Sequence, residues 1–167
     1  MANRIIVIDI ETNSIENVNM IWCVVCLDIK TNVFSVFTDK ESLKEYIDYE
    51  DIFVAHNGIE FDFPILNKLW DTKIKLKNVQ DTLVMSRLFK PNREGGHGLH
   101  NWGKLFGFNK LEHNDFSKFS EEMLTYCKRD VALTAKLYQY LLEEGKDFSK
   151  SSILLEHKIA HIIGVKL

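Results

Sequence analysis

From Arg4 to Ile10 the chain is apolar on both sides of an alternating pattern. Ile6, Ile8 and Ile10 point one way, and Ile5 and Val7 the other. A strand with two apolar faces is covered on both, so this segment reads as the central strand of a sheet. Asp9 and Glu11 continue the Ile5–Val7 face and project from the strand's carboxyl end. Open α/β sheets bind their ligands at that edge. Met20–Ile29 and Val33–Thr38 read as two more strands, and the polar turn Lys30-Thr31-Asn32 between them predicts a hairpin. Thr38-Asp39-Lys40-Glu41 fits a capping box, which opens a helix to about Tyr49. Ile52–Ala55 is a short apolar strand broken by His56-Asn57-Gly58.

The second half of the chain reads as helical. One helix spans about Phe61 to Leu69, with Pro64 tolerable in its first turn. Others are expected over Asp81–Phe89 and Leu99–Phe106, the latter ended by Gly107. Pro91–Gly98 is a glycine-rich loop, and Asn109–Lys118 is polar and irregular. A long helix starts near Ser120, where Glu121 and Glu122 suit its positive end, and stops at Gly145. A last one covers Ser151–Ile163. An early hairpin followed by strand–helix–strand crossovers predicts an α/β fold, a mixed central sheet of about five strands flanked by helices.

A chain of 167 residues is one domain's length. Its 46% hydrophobic content supplies a core. A net charge of -3 argues against coating nucleic acid by bulk electrostatics. It leaves room for a local patch, and Lys68–Lys110 holds nine Lys or Arg against three Asp or Glu. The pattern contains no membrane-length apolar run and no signal-peptide pattern before Arg4. Three cysteines point to a reducing compartment, the cytoplasm. Cys23 and Cys26 form a C-x-x-C. On a strand their sulfurs face opposite ways, so buried small hydrophobes are the better reading.

The chemistry concentrates in three stretches: Asp9-Ile10-Glu11, Asn57-Gly58-Ile59-Glu60-Phe61-Asp62, and Tyr126-Cys127-Lys128-Arg129-Asp130. Close carboxylates repel, and a divalent cation relieves that repulsion. Oxygen-only ligands suit magnesium or manganese. Tyr126 and Asp130, one turn apart, share a helix face. Taken singly, Asp9 is a turn residue, Asp62 a first-turn acid, Asp130 half of a salt bridge to Lys128 or Arg129, and Tyr126 a core aromatic.

Together and in this order, D-I-E at 9–11, H-N-G-I-E-F-D at 56–62 and Y-C-K-R-D at 126–130 resemble the three motifs of the DEDD 3′–5′ exonucleases. Asp81-Thr82-Leu83-Val84-Met85-Ser86-Arg87-Leu88 and Phe119-Ser120-Glu121-Glu122-Met123 extend the resemblance to the proofreading domain of bacteriophage family A DNA polymerases. Thr125 stands where one branch of the family has histidine, and Tyr126 marks the tyrosine branch. The resemblance implies a ribonuclease H-like fold and two Mg2+ or Mn2+ ions. It implies that Asp9 bridges the ions, that Glu11 and Asp130 complete the one carrying the attacking water, that Asp62 helps hold the other, and that Tyr126 orients the water. It further implies a single-stranded or frayed DNA 3′ end as substrate, with Thr12, Asn57 and Phe61 as substrate contacts. Residues 1–147 are then the exonuclease domain. Residues 148–167 resemble the helical linker into a polymerase, expected either on a separate chain or missing because this is a free-standing or trimmed exonuclease, in the host cytoplasm if the chain is phage-encoded.

Two rivals stand beside this reading: an RNA 3′–5′ exonuclease or ribonuclease H-type endonuclease, and a non-catalytic nucleic-acid-binding subunit of the same fold. Tyr126 speaks against the endonuclease, and the intact carboxylates against the inert subunit. Gly95-Gly96-His97-Gly98 lacks the G-K-[ST] of a phosphate-cradling loop. His157 and His161 have chelating spacing without a third ligand. Trp102, Phe61 and Phe63 are candidates to stack on a terminal base, against a core reading for each.

Overall fold

A computed structural model describes residues 3–164. The outer ends of the two expected segments, residues 1–2 and 165–167, lie outside the described residues. Among these residues five strands form one sheet: β1 (Ile5–Thr12), β2 (Ile21–Asp28), β3 (Val33–Phe37), β4 (Ile52–Ala55) and β5 (Val79–Asp81), in the order β3-β2-β1-β4-β5. The first three run antiparallel, and β4 and β5 pair parallel to β1 and β4. The sheet is mixed and β1 is its centre, as the double-faced apolar pattern requires. The fifth strand had no position in the sequence reading. Its three residues are too few for a period to show.

Among the described residues there are six α-helices: α1 (Lys40–Tyr46), α2 (Asp62–Leu69), α3 (Thr82–Phe89), α4 (Leu99–Phe106), α5 (Glu121–Glu144) and α6 (Lys150–Gly164). The first one corrects the capping box. Asp39, not Thr38, caps α1, its carboxylate accepting from Ser42 N at 2.8 Å, and the helix stops at Tyr46 rather than near Tyr49. Asp and Thr compete for one role here, and the carboxylate makes the charge-assisted bond. Gly107, at φ 64°, ends α4 in the left-handed region as expected.

The sheet divides the core in two. Ile6, Ile8 and Ile10 pack with Leu43, Phe53, Phe63 and Leu66 on the α1–α2 side. Val7, Cys23, Val25 and Val54 pack with Met85, Trp102, Cys127, Val131, Leu137 and Leu141 on the α5 side. Cys23 and Cys26 fall on opposite sides, as a strand demands. Trp102 and Phe63 are core residues at 1% and 4% exposure, too enclosed to stack on a base. Phe61 is half-buried.

The long helix α5 explains how an acid reaches the sheet. Met123, Cys127, Val131, Thr134, Leu137, Tyr138 and Leu141 recur at helical spacing along its buried face. Asp130 interrupts that face with a carboxylate. Each fully buried aliphatic side chain on it contributes about 1.5–3 kcal/mol, so the stripe holds Asp130 against β1 and β2. Thr134 donates to the Asp130 carbonyl at 2.8 Å, so its buried hydroxyl is satisfied within the helix.

Candidate active site

The site begins where β1 loses a partner. β4 pairs with β1 only as far as Val7, opposite Val54. Beyond Val7 the N–H groups on that edge need another acceptor. Asp62, at the first turn of α2, supplies one: its Oδ2 accepts from Ile10 N at 3.2 Å. This bond carries the middle motif to the carboxyl end of the central strand. Asp9 and Glu11 stand on the opposite side of the same strand end, facing α5. There Cys127 Sγ lies 3.5 Å from Asp9 Oδ2 and 3.6 Å from the Asp9 carbonyl. A register shift between Glu11 and Thr12 ends the regular ladder beside the site.

Asp81 holds the loop that leads to Asp62. It ends β5 and caps α3, accepting from Leu83 N at 2.9 Å. Its two oxygens also accept from Asn57 N at 2.9 Å and Ile59 N at 3.1 Å. Asn57 sits at φ 62°, which an asparagine tolerates better than most residues. Gly58 is forced by space: a Cβ there would lie 2.5 Å from the Phe63 ring and 2.6 Å from Ala55 Cβ.

Four carboxylates therefore meet in a poorly solvated place. Glu11, Asp62 and Asp130 are buried at 7%, 4% and 6% exposure. Desolvation, then Glu11, Asp62 and Asp130, push Asp9 well above the usual carboxylate range. Desolvation and the Asp130 charge raise Glu11 to about 9. Burial raises Asp62 to about 7, against the opposing bond from Ile10 N. Burial also raises Asp130 to about 6, with Lys110 pulling the other way. Asp130 Oδ1 is buried with no hydrogen-bond partner. Clustered carboxylates with an orphaned oxygen fit a hard divalent cation. Cys127 Sγ lies within 4.8 Å of ligand atoms of Asp9 and Glu11, and its proton is directed at Asp9. A soft sulfur among carboxylate oxygens does not suit such an ion.

Tyr126 is half-buried beside Asp130. Its hydroxyl accepts from Lys110 Nζ at 3.2 Å, and the same ammonium lies 3.4 Å from Asp130 Oδ2. The ion pair of Asp130 is thus with Lys110, not with Lys128 or Arg129. Arg129 turns away, donating to the Asn109 carbonyl at 2.8 Å. Of the expected substrate contacts, Thr12 is buried with its hydroxyl donating to Ser14 O at 2.7 Å, while Asn57 and Phe61 stay half-buried on the loop before α2. His157 is buried and both its nitrogens are bonded, to Asp81 N at 2.9 Å and Ile153 O at 2.7 Å, so the His157–His161 chelate is not formed. The sequence showed Asp81 and Cys127 inside the matching stretches, His157 as a spaced histidine and Lys110 only as the end of a basic stretch, but not the roles the structure gives them. Only for Asp81 was the role signalled, as a strand-to-helix capping aspartate.

The chain is similar to the DNA-directed DNA polymerases of Escherichia phage T7, 29% identical over 193 residues, and Enterobacteria phage T3, 28% identical. These matches cover 86% of this chain and 27% of each relative, so the chain spans about a quarter of their length. Among solved structures, Brucella melitensis NrnC bound to pGG superposes with a TM-score of 0.75 at 18% identity, covering 97% of this chain and 83% of that one. Escherichia coli RNase D superposes with a TM-score of 0.73 at 15% identity, covering 99% and 46%. The fold is ribonuclease H-like, and among the described residues no helix is long and apolar enough to cross a membrane. The 3′–5′ exonuclease family model matches residues 2–146, which include all three carboxylate motifs: the chain belongs to the 3′–5′ exonuclease family of the DEDD superfamily.

Proposed function

We propose that this chain hydrolyses the terminal phosphodiester at the 3′ end of single-stranded or frayed DNA, with two Mg2+ or Mn2+ ions, in the service of a DNA polymerase. The observation that carries the reading is the convergence of Asp9, Glu11, Asp62 and Asp130, with the Tyr126 hydroxyl, at the carboxyl end of β1. The DNA assignment leans on the two phage polymerases. Escherichia coli RNase D is an exoribonuclease, so RNA is the second outcome to test.

Asp9, Glu11, Asp62 and Asp130 would hold the ions, which supply Lewis-acid polarisation of the phosphate and a water acidic enough to attack at neutral pH. With Glu11 raised to about 9 and Asp62 to about 7, holding an ion there would be linked to release of protons from these carboxylates. Tyr126 holds the attacking water through its hydroxyl. The Ile10 N–H fixes the Asp62 carboxylate, and Asp81 fixes the loop that delivers it. Asn57 and Phe61, before α2, contact the terminal nucleotide; Thr12 borders Glu11. Residues 1–147 form the catalytic domain, the α6 segment is the link towards a polymerase, and the protein works in the host cytoplasm.

The test is release of mononucleotide from 5′-labelled single strands of DNA and RNA, each ending in a 3′ hydroxyl or a 3′ phosphate, with magnesium, manganese or chelator. Stepwise shortening of the DNA from a free 3′ hydroxyl, abolished by chelator, is expected. Activity undiminished in chelator, or digestion from the 5′ end, would defeat the proposal, and a preference for RNA would defeat its DNA half.

A further inference from the structure

The segment after α4 is bolted to α5 next to the candidate site. Gly107 turns the chain, and Phe108 N donates to Gly103 O at 2.9 Å. The Arg129 guanidinium lies 3.4 Å from the Phe108 ring centroid, and its Nε holds the Asn109 carbonyl at 2.8 Å. Lys136 covers the same ring at 4.9 Å. Arg129 directly precedes Asp130, so one residue clamps this segment while the next carries the carboxylate. The clamp delivers Lys110 between Tyr126 and Asp130, at the wall of an open cleft of ≈ 740 Å³ that His100, His113 and Glu122 also line.

Two consequences follow from where the ammonium sits. A lysine donates and cannot accept, so its bond at 3.2 Å fills a lone pair of the Tyr126 oxygen. The phenolic proton must then point away from Lys110. On Asp130, Lys110 lies 3.4 Å from Oδ2 and leaves Oδ1 as the buried oxygen without a partner. The same contact makes the ammonium a competitor for the charge of Asp130.

The geometry points to Lys110 as a positioning residue that sets the direction of the Tyr126 hydroxyl proton, selects which Asp130 oxygen is free for a divalent cation, and opposes cation binding until the cluster is filled. This rests on the metal-dependent reading above. It separates Lys110 from the surface lysines of the 68–110 stretch, which lie away from Tyr126 and Asp130.

Two readouts test it. Manganese binding to the free protein is measured by electron paramagnetic resonance for the parent, Lys110→Met and Lys110→Arg. Turnover and KM are measured on one single strand, and thermal melting confirms folding. Lys110→Met keeps the stem and removes the charge. It should bind manganese several-fold more tightly than the parent, yet turn over roughly 10–100-fold more slowly, as partners of metal ligands typically do when removed. Its KM for the strand should not change. Lys110→Arg should bind manganese like the parent. Manganese binding in Lys110→Met equal to or weaker than the parent overturns the competition, and a loss confined to KM makes Lys110 a phosphate grip instead. Failure of the parent itself to bind manganese would overturn the metal-dependent reading, and this inference with it.

Discussion

His157 Nε2, on the C-terminal helix, accepts the backbone N–H of Asp81, at the end of β5, at 2.9 Å. The other ring nitrogen lies 2.7 Å from the Ile153 carbonyl, which can only accept, so Nδ1 carries the proton and Nε2 is the bare acceptor. Asp81 in turn holds Asn57 and Ile59 N–H groups on the approach to Asp62. The tail helix is therefore joined to the candidate site through one buried hydrogen bond and two carboxylate bonds.

His157→Leu should leave the Asp81 N–H buried without a partner. A buried unsatisfied donor costs about 1–3 kcal/mol, and a melting-temperature loss is the expected sign. Turnover should fall more than the loss of folded protein explains, because the Asn57–Ile59 loop loses part of its support. A chain cut after Asp147 should show the same two effects. A truncated chain with the parent's melting temperature would show that the tail packs without consequence.

The raised carboxylates make a prediction with a definite sign. An acid whose folded pKa lies above its unfolded value near 3.8 binds more protons folded than unfolded, between those two values. Stability then falls as pH rises through that window. Asp62, raised to about 7, gives a window from about pH 4 to 7, and Glu11, raised to about 9, carries the cost further into the alkaline range. Metal-free Asp62→Asn keeps an oxygen for Ile10 N and sheds the charge. It should melt several degrees above the parent at pH 8 and close to it at pH 4. Magnesium should raise the parent's melting temperature at pH 8 far more than at pH 5, where the ligands hold protons. An Asp62→Asn advantage that is equal at both pH values would remove repulsion from the account.

Gly58→Ala should be disproportionately costly for a loop substitution. Its Cβ would overlap the Phe63 ring and Ala55 Cβ, both in the core. Overpacking of this kind costs roughly 1–3 kcal/mol, and the shift would reach Asp62, one residue before Phe63. The check is denaturant unfolding beside turnover. An alanine variant with unchanged stability would mean that Phe63 yields freely.

The elements with a long period were legible in the sequence: β1 by its two apolar faces, α5 by its start near Ser120 with Glu121 and Glu122 in the first turn and its stop at Gly145, and α4 by Gly107. The carboxylates were legible as chemistry because an acid on an apolar face has no local reason to be there. What could not be read depends on contacts made across the chain. Val79–Asp81 becomes a strand only because β4 offers it an edge. Lys110 lies in a stretch with no periodicity and reaches Asp130 only because Arg129 holds Asn109. His157 is spaced like a chelating residue, and only packing of α6 against α3 turns it into a hydrogen-bond acceptor.

Tyr126 and Asp130 share one face of α5 and one partner, Lys110, but they should fail differently. Tyr126→Phe keeps the ring and removes the hydroxyl that would orient the water. A lost positioning or acid–base contact costs on the order of 10²–10⁴-fold in rate, so the variant should be slow but measurable, with its metal affinity intact. Asp130→Ala removes a carboxylate from the cluster and leaves the Lys110 charge uncompensated beside it. It should be slower still and should bind metal weakly. Raising manganese should then restore Asp130→Ala in part, since mass action offsets a weakened site, and should do little for Tyr126→Phe, whose defect is not metal loss. A manganese titration of turnover for both variants on one single strand distinguishes the roles. If Tyr126→Phe is the variant that metal restores, or runs at the parent's rate, the hydroxyl does not position water, and Tyr126 serves only to pack against Lys110 and Phe116.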